Sequence, residues 1–135
     1  MGRILGIDHG DVRIGIAMSD PTAFLASSLC VLETTSSGMD QLVQLITTHD
    51  IEKIVIGLPR NMDGSYGSAT IKVRAFIDKL KTKTSVPVVE WDERLSTVSA
   101  HHALREAGLN GKKRKGLVDQ VAAQIILQNY LDAQS

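Results

Sequence analysis

At 135 residues, with 15 basic residues balancing 15 acidic ones, the chain fits one domain of ordinary size and carries no net charge to attract nucleic acid. Such binding would need a local basic cluster. Hydrophobic residues make up 43% and aromatic residues 4%, a soluble globular composition whose core must be aliphatic. The single cysteine, Cys30, excludes an intramolecular disulfide and suits a reducing compartment. No apolar stretch of signal or membrane-helix length opens the chain, so a cytoplasmic protein that makes no use of a membrane is expected.

The first element is an apolar run, Ile4 to Ile7, that ends in Asp8. Asp8-His-Gly-Asp-Val is built of turn formers, and Ile14, Ile16 and Met18 then alternate with Arg13, Gly15 and Ala17, the period of a strand. After a turn at Pro21, Phe24 to Leu32 reads as a third strand, and three strands without an intervening helix predict an antiparallel meander. Met39, Leu42, Val43 and Ile46 mark one face of a helix capped by Ser36 or Ser37. Lys53 to Gly57 is the continuous apolar run of a strand covered on both faces. Leu58 to Gly67 reads as a polar loop, and Val73, Phe76, Ile77 and Leu80 mark a second helix. Pro87 to Trp91 is a fifth strand that runs into Asp92 and Glu93. Ser96 is placed to cap a further helix with Ala100, Ala103, Leu104 and Ala107 on one face, stopped by Gly108. Asn110 to Gly116 reads as a basic loop, and Leu117 to Leu131 as a last, largely apolar helix. Three strands followed by strands alternating with helices define a single α/β domain over residues 1–135, with a mixed sheet.

Chemistry is expected where these elements present acids. Asp8 closes the first strand, Asp92 and Glu93 close the fifth, and Asp119 lies near the start of the last helix. If the first and fifth strands run parallel, their acids emerge at one sheet edge, where open α/β sheets place ligands. By helical spacing Asp119 shares a stripe with Ala122, Ala123, Ile126 and Tyr130, and an acid heading an apolar face needs a partner. Its simpler role is to complement the helix dipole. Carboxylates without His or Cys ligands favour a hard ion, Mg²⁺ or Mn²⁺, and such ions support phosphodiester hydrolysis. Lys112, Lys113, Arg114 and Lys115 form a basic run just before the helix that bears Asp119, suited to holding phosphates or simply to solvation. His101 and His102 are adjacent on a helix and cannot form an i, i+4 zinc pair. Asn61 and its loop neighbours reach the cleft if that loop lies at the same edge.

Four ordered segments carry a resemblance: Gly6 to Asp20, Val55 to Gly67, Asp92 to Thr97 and Lys115 to Leu127. In them the chain resembles the YqgF family of ribonuclease H-like nucleases, also described as Holliday junction resolvases. The resemblance implies an α/β ribonuclease H-like fold, a five-stranded mixed sheet with helices on both faces, and a metal-dependent acidic site. It also implies a role in 5′-end processing of pre-16S rRNA, a step of ribosome biogenesis. Carried over by position, the catalytic set is Asp8, Glu93 and Asp119, with Asp8, Asp92, Glu93 and Asp119 as candidate ligands of Mg²⁺ or Mn²⁺. The choice between Asp92 and Glu93 stays open, because successive strand residues face opposite ways and a strand end can bend. Arg13, Arg60, Asn61, Arg94, Lys112, Lys113, Arg114 and Lys115 are the expected nucleic-acid contacts. The expected partner is structured RNA, with branched DNA as the alternative substrate and a monomer or homodimer as the working form. A non-catalytic RNA-binding assembly factor is the reading from a different class. Asp8-His-Gly is also similar to the phosphate loop of actin-like ATPases and sugar kinases, which close two such domains around a nucleotide, and a chain of this length offers no second lobe.

Overall fold

The computed structural model describes residues 2–59, 65–92 and 111–134, with side chains in the last segment from residue 121 onward. Along the chain run β1 (Arg3–His9), β2 (Arg13–Ser19), β3 (Ala26–Glu33), α1 (Ser36–Thr48), β4 (Ile51–Leu58), α2 (Ser68–Lys81), β5 (Val88–Asp92) and α3 (Gly111–Gln134). The five strands form one sheet in the order β3-β2-β1-β4-β5. β1, β2 and β3 are antiparallel neighbours, as the predicted meander requires, while β1, β4 and β5 run parallel.

Two apolar layers sandwich the sheet. Leu5, Ile7, Ile14, Ile16, Ile54 and Ile56 face α1 and α2, where they meet Leu42, Ile46, Val73 and Leu80. Ile4, Ala17 and Val55 face the other way, against Ala123, Ile126, Leu127 and Tyr130 of α3. Helices therefore cover both faces. The alternation of each strand divides its side chains between the two layers, and this division decides which acids can meet.

The helix ends depart from the sequence reading in two places. Thr35 caps α1, its side chain accepting the Gly38 amide at 3.1 Å, where Ser36 or Ser37 was expected. Gly38 fits there because a Cβ would stand 1.8 Å from the Glu33 carbonyl oxygen. Residues 111–116, predicted as part of a basic loop, are helical in their backbone. Lys and Arg are good helix formers, and one interior glycine, Gly116, costs only about 1 kcal/mol relative to alanine. The helix predicted to begin at Ser96 lies outside the described residues.

α3 runs antiparallel to β1. Its C-terminal half reaches the turn between β2 and β3, where Gln128 accepts the Ala26 amide at 2.9 Å and donates to the Phe24 carbonyl at 3.1 Å. Gln124 meets the Ser28 hydroxyl at 3.0 Å. That turn is held by Asp20, which accepts the amides of Phe24 and Leu25 at 2.8 and 2.9 Å and the hydroxyl of Thr22. These bonds lower its pKa to about 2, the Leu25 amide acting most strongly. No helix among the described residues is long and apolar enough to cross a membrane.

Candidate nucleic-acid and metal site

The parallel arrangement of β1, β4 and β5 brings their carboxyl ends to one edge of the sheet. Ile7 pairs with Ile56, Ile56 with Glu90, and Leu58 with Asp92. Asp8 and Asp92 therefore close their strands at the same edge, as the sequence reading expected. They do not share a face. On β1, Leu5 and Ile7 belong to the α1/α2 layer, whereas Gly6 lies under α3, so alternation sends the half-buried Asp8 to the α3 side. On β5, Val88 packs toward α2 and Glu90 bonds Arg74 of α2, while Val89 and Trp91 pack against the α3 layer. Asp92 thus continues the α2 side.

Gly6 fixes the level of α3 over β1. A Cβ at Gly6 would stand 2.7 Å from the Leu127 Cβ and 3.1 Å from the Ala123 carbonyl oxygen, so helix and strand touch through a position without a side chain. From this contact Asp8 lies about 6–7 Å further along β1, at about 3.3 Å per residue. Position 119 of α3 lies one turn before Ala123, about 6 Å toward the same edge. Helix and strand are antiparallel, so Asp8 and position 119 both lie toward this edge from the Gly6 contact, on the α3 side of the sheet.

His9 has a different role from that of its neighbour. Its ring packs on Phe76 of α2 at 4.7 Å between centroids, on the face opposite Asp8. Burial pushes its pKa below the ordinary histidine value, Asp11 partly opposing the shift. The turn after β1 is tied down on all sides. The Gly10 amide donates to the Arg13 carbonyl at 2.9 Å, the Thr34 hydroxyl donates to the Gly10 carbonyl at 2.8 Å, and Lys72 of α2 bonds Asp11 at 3.0 Å. Arg13 opens β2 and, with Asp11, Val12 and Thr34, lines a groove of about 560 Å³ beside this turn. Lys72 escaped the sequence reading because no local spacing links it to Asp11.

Among the described residues, no group of three or more His, Cys, Asp or Glu side chains stands close enough to hold a metal. Glu93, Arg94, Arg60 and Asn61 lie outside the described residues, as do the side chains of Asp119, Lys112, Lys113, Arg114 and Lys115. What the geometry supplies is one hard oxygen donor, Asp8, near the end of a buried strand, and a helix whose N-terminal turns run toward the same edge. A carboxylate oxygen is the kind of donor that hard divalent cations take.

The five-stranded mixed sheet in this strand order, with helices on both faces, is a ribonuclease H-like fold. The RuvC protein of T. thermophilus, solved in complex with Holliday junction substrate, superposes with a TM-score of 0.56 at 15% identity, over 99% of this chain and 96% of its own. The Fowlpox virus resolvase, solved with Holliday junction DNA, gives a TM-score of 0.57 at 12% identity, over 98% of both chains. The family model described as "RuvX: Holliday junction resolvase" matches residues 2–133, and the chain belongs to that family. Proteins of Desulforamulus reducens and Halothermothrix orenii, each named "Putative pre-16S rRNA nuclease", are 46% identical to it. The first match covers 97% of each chain, the second 98% of this chain and 96% of its relative.

Proposed function

We propose that this chain is a divalent-metal-dependent nuclease that hydrolyses phosphodiester bonds in the 5′ region of pre-16S rRNA, in the cytoplasm, with residues 1–135 acting as one nuclease domain. The observation that carries the proposal is the half-buried Asp8 at the sheet's carboxyl edge on the side covered by α3, in a chain whose family relatives bear the nuclease name. Asp8, Glu93 and Asp119 are the proposed catalytic set and would hold Mg²⁺ or Mn²⁺. Such an ion, when bound, supplies Lewis-acid stabilisation of the charge that builds on phosphate oxygens. Within the acidic pair the alternation of β5 argues against Asp92 and leaves Glu93 as the preferred member.

The protein's own part is to hold and orient. Asp8 is fixed by a strand paired on both sides, so its carboxylate keeps its place without the entropy cost of a loop. Arg13, Arg60, Asn61, Arg94 and the basic turns of α3, Lys112, Lys113, Arg114 and Lys115, are the proposed phosphate contacts. They act in a chain of zero net charge, so binding rests on this local cluster. The family description and the junction-bound neighbours favour a second reading, resolution of a four-way DNA junction, which needs two active sites and hence a dimer.

An end-labelled pre-16S rRNA 5′ leader and a four-way DNA junction, each incubated with Mg²⁺ or Mn²⁺, test both readings. Metal-dependent cutting of the leader is expected from the wild type, falling at least about a hundredfold in Asp8→Asn. Preferential cutting of the junction would favour the second reading. RNA binding without cutting, equal in both proteins, would replace catalysis by an assembly role.

A further inference from the structure

We propose that Tyr66 is a stacking platform for an unpaired base, steadied by Arg74, and that the RNA passing the α2 side of the sheet's carboxyl edge is therefore single-stranded. The inference rests on the nucleic-acid reading above and deepens it by naming the form of the substrate. The chain has three polar-tipped rings large enough for base stacking, Tyr66, Trp91 and Tyr130. Trp91 and Tyr130 meet edge to face at 5.5 Å, and the Tyr130 hydroxyl accepts a hydrogen bond from Lys53 at 3.0 Å. Phe76 is buried behind His9, and the exposed Phe24 sits in the turn at the opposite end of the sheet.

Tyr66 is 51% exposed and lies just before α2. Two contacts tie this segment to the acidic edge. The Thr70 hydroxyl donates to the Pro59 carbonyl, docking the first turn of α2 at the exit of β4. Lys72 then bridges to Asp11 in the turn that follows Asp8. Arg74 places its guanidinium carbon 4.6 Å from the Tyr66 ring centroid, while its Nε donates to Glu90 at 3.3 Å. Glu90 is in register with Ile56 and, through it, with Ile7, the residue before Asp8. The acid orients the guanidinium, and the guanidinium steadies the ring.

A half-exposed ring beside a guanidinium is suited to gripping a single strand, with a base on the ring and a phosphate near the charge. A duplex keeps its bases stacked on one another and would have to unpair to supply one.

The test uses the full chain and its Tyr66→Phe, Tyr66→Leu and Tyr66→Ala variants, with matched thermal unfolding as a check on the fold. Affinity is measured for a single-stranded RNA carrying 2-aminopurine and for a blunt duplex of the same sequence. Tyr66→Ala and Tyr66→Leu should weaken single-strand binding about 5- to 100-fold and lose the 2-aminopurine quenching, while Tyr66→Phe keeps both and duplex affinity is unchanged. In leader cleavage KM should rise with kcat unchanged. Unaltered single-strand affinity in Tyr66→Ala, or equal losses on single strand and duplex, would overturn the platform. Asp8-dependent cleavage with Tyr66-independent binding would sink the platform and keep the nuclease reading. Tyr66-dependent binding in a protein that never cuts would do the reverse.

Discussion

Asp8 and His9 are neighbours in sequence with opposite surroundings, because a strand sends successive side chains to opposite faces. Asp8 faces the α3 side of the sheet edge, while His9 packs on Phe76. Burial lowers the His9 pKa, so the folded protein resists the proton that the unfolded chain accepts near its ordinary value. The sign follows from linkage. Stability is unaffected well above about pH 6.5 and declines as pH falls through that value toward the lower folded pKa. His9→Phe keeps a ring against Phe76 and removes the titration. Urea unfolding between about pH 7.5 and pH 5 should therefore show a shallower loss of stability in the variant than in the wild type. Equal slopes would mean that His9 does not titrate differently on folding.

The contact between β1 and α3 through Gly6 sets the height at which the helix crosses the strand. Gly6→Val would drive a side chain into Leu127 and the Ala123 carbonyl. A destabilisation of about 1–3 kcal/mol is expected from overpacking, measured by denaturant unfolding, together with a loss of cleavage as α3 shifts from Asp8. A variant that unfolds like the wild type and cuts normally would show that this contact does not set the site. Much of the architecture was legible in the sequence at this scale. Ile14, Ile16 and Met18 declared a strand by alternation, and Val73, Phe76, Ile77 and Leu80 declared the face of α2. The cap at Thr35 and the helical backbone of residues 111–116 were not legible, because neighbouring hydroxyl residues cap equally well and a basic run suits helix and loop alike. Gly6 inside an apolar strand run was an available sign of close approach, and only the sheet's partner could give it meaning.

Across the whole molecule, the mixed topology brings the carboxyl ends of β1, β4 and β5 to one edge and lays α3 antiparallel across it. The sequence named the acids, but not which face each would take, since that depends on which layer covers each side of the sheet. Asp92 and Glu93 could not be separated by spacing; the packing of Val88, Glu90 and Trp91 bears on the choice by turning Asp92 toward α2. The most direct measurement is metal-dependent cleavage of the pre-16S rRNA leader by four single variants, Asp8→Asn, Asp119→Asn, Glu93→Gln and Asp92→Asn. The first three are expected to lose at least about a hundredfold in rate while Asp92→Asn stays close to the wild type. An inactive Asp92→Asn beside an active Glu93→Gln would move the site to the α2 side of the sheet edge and overturn the assignment.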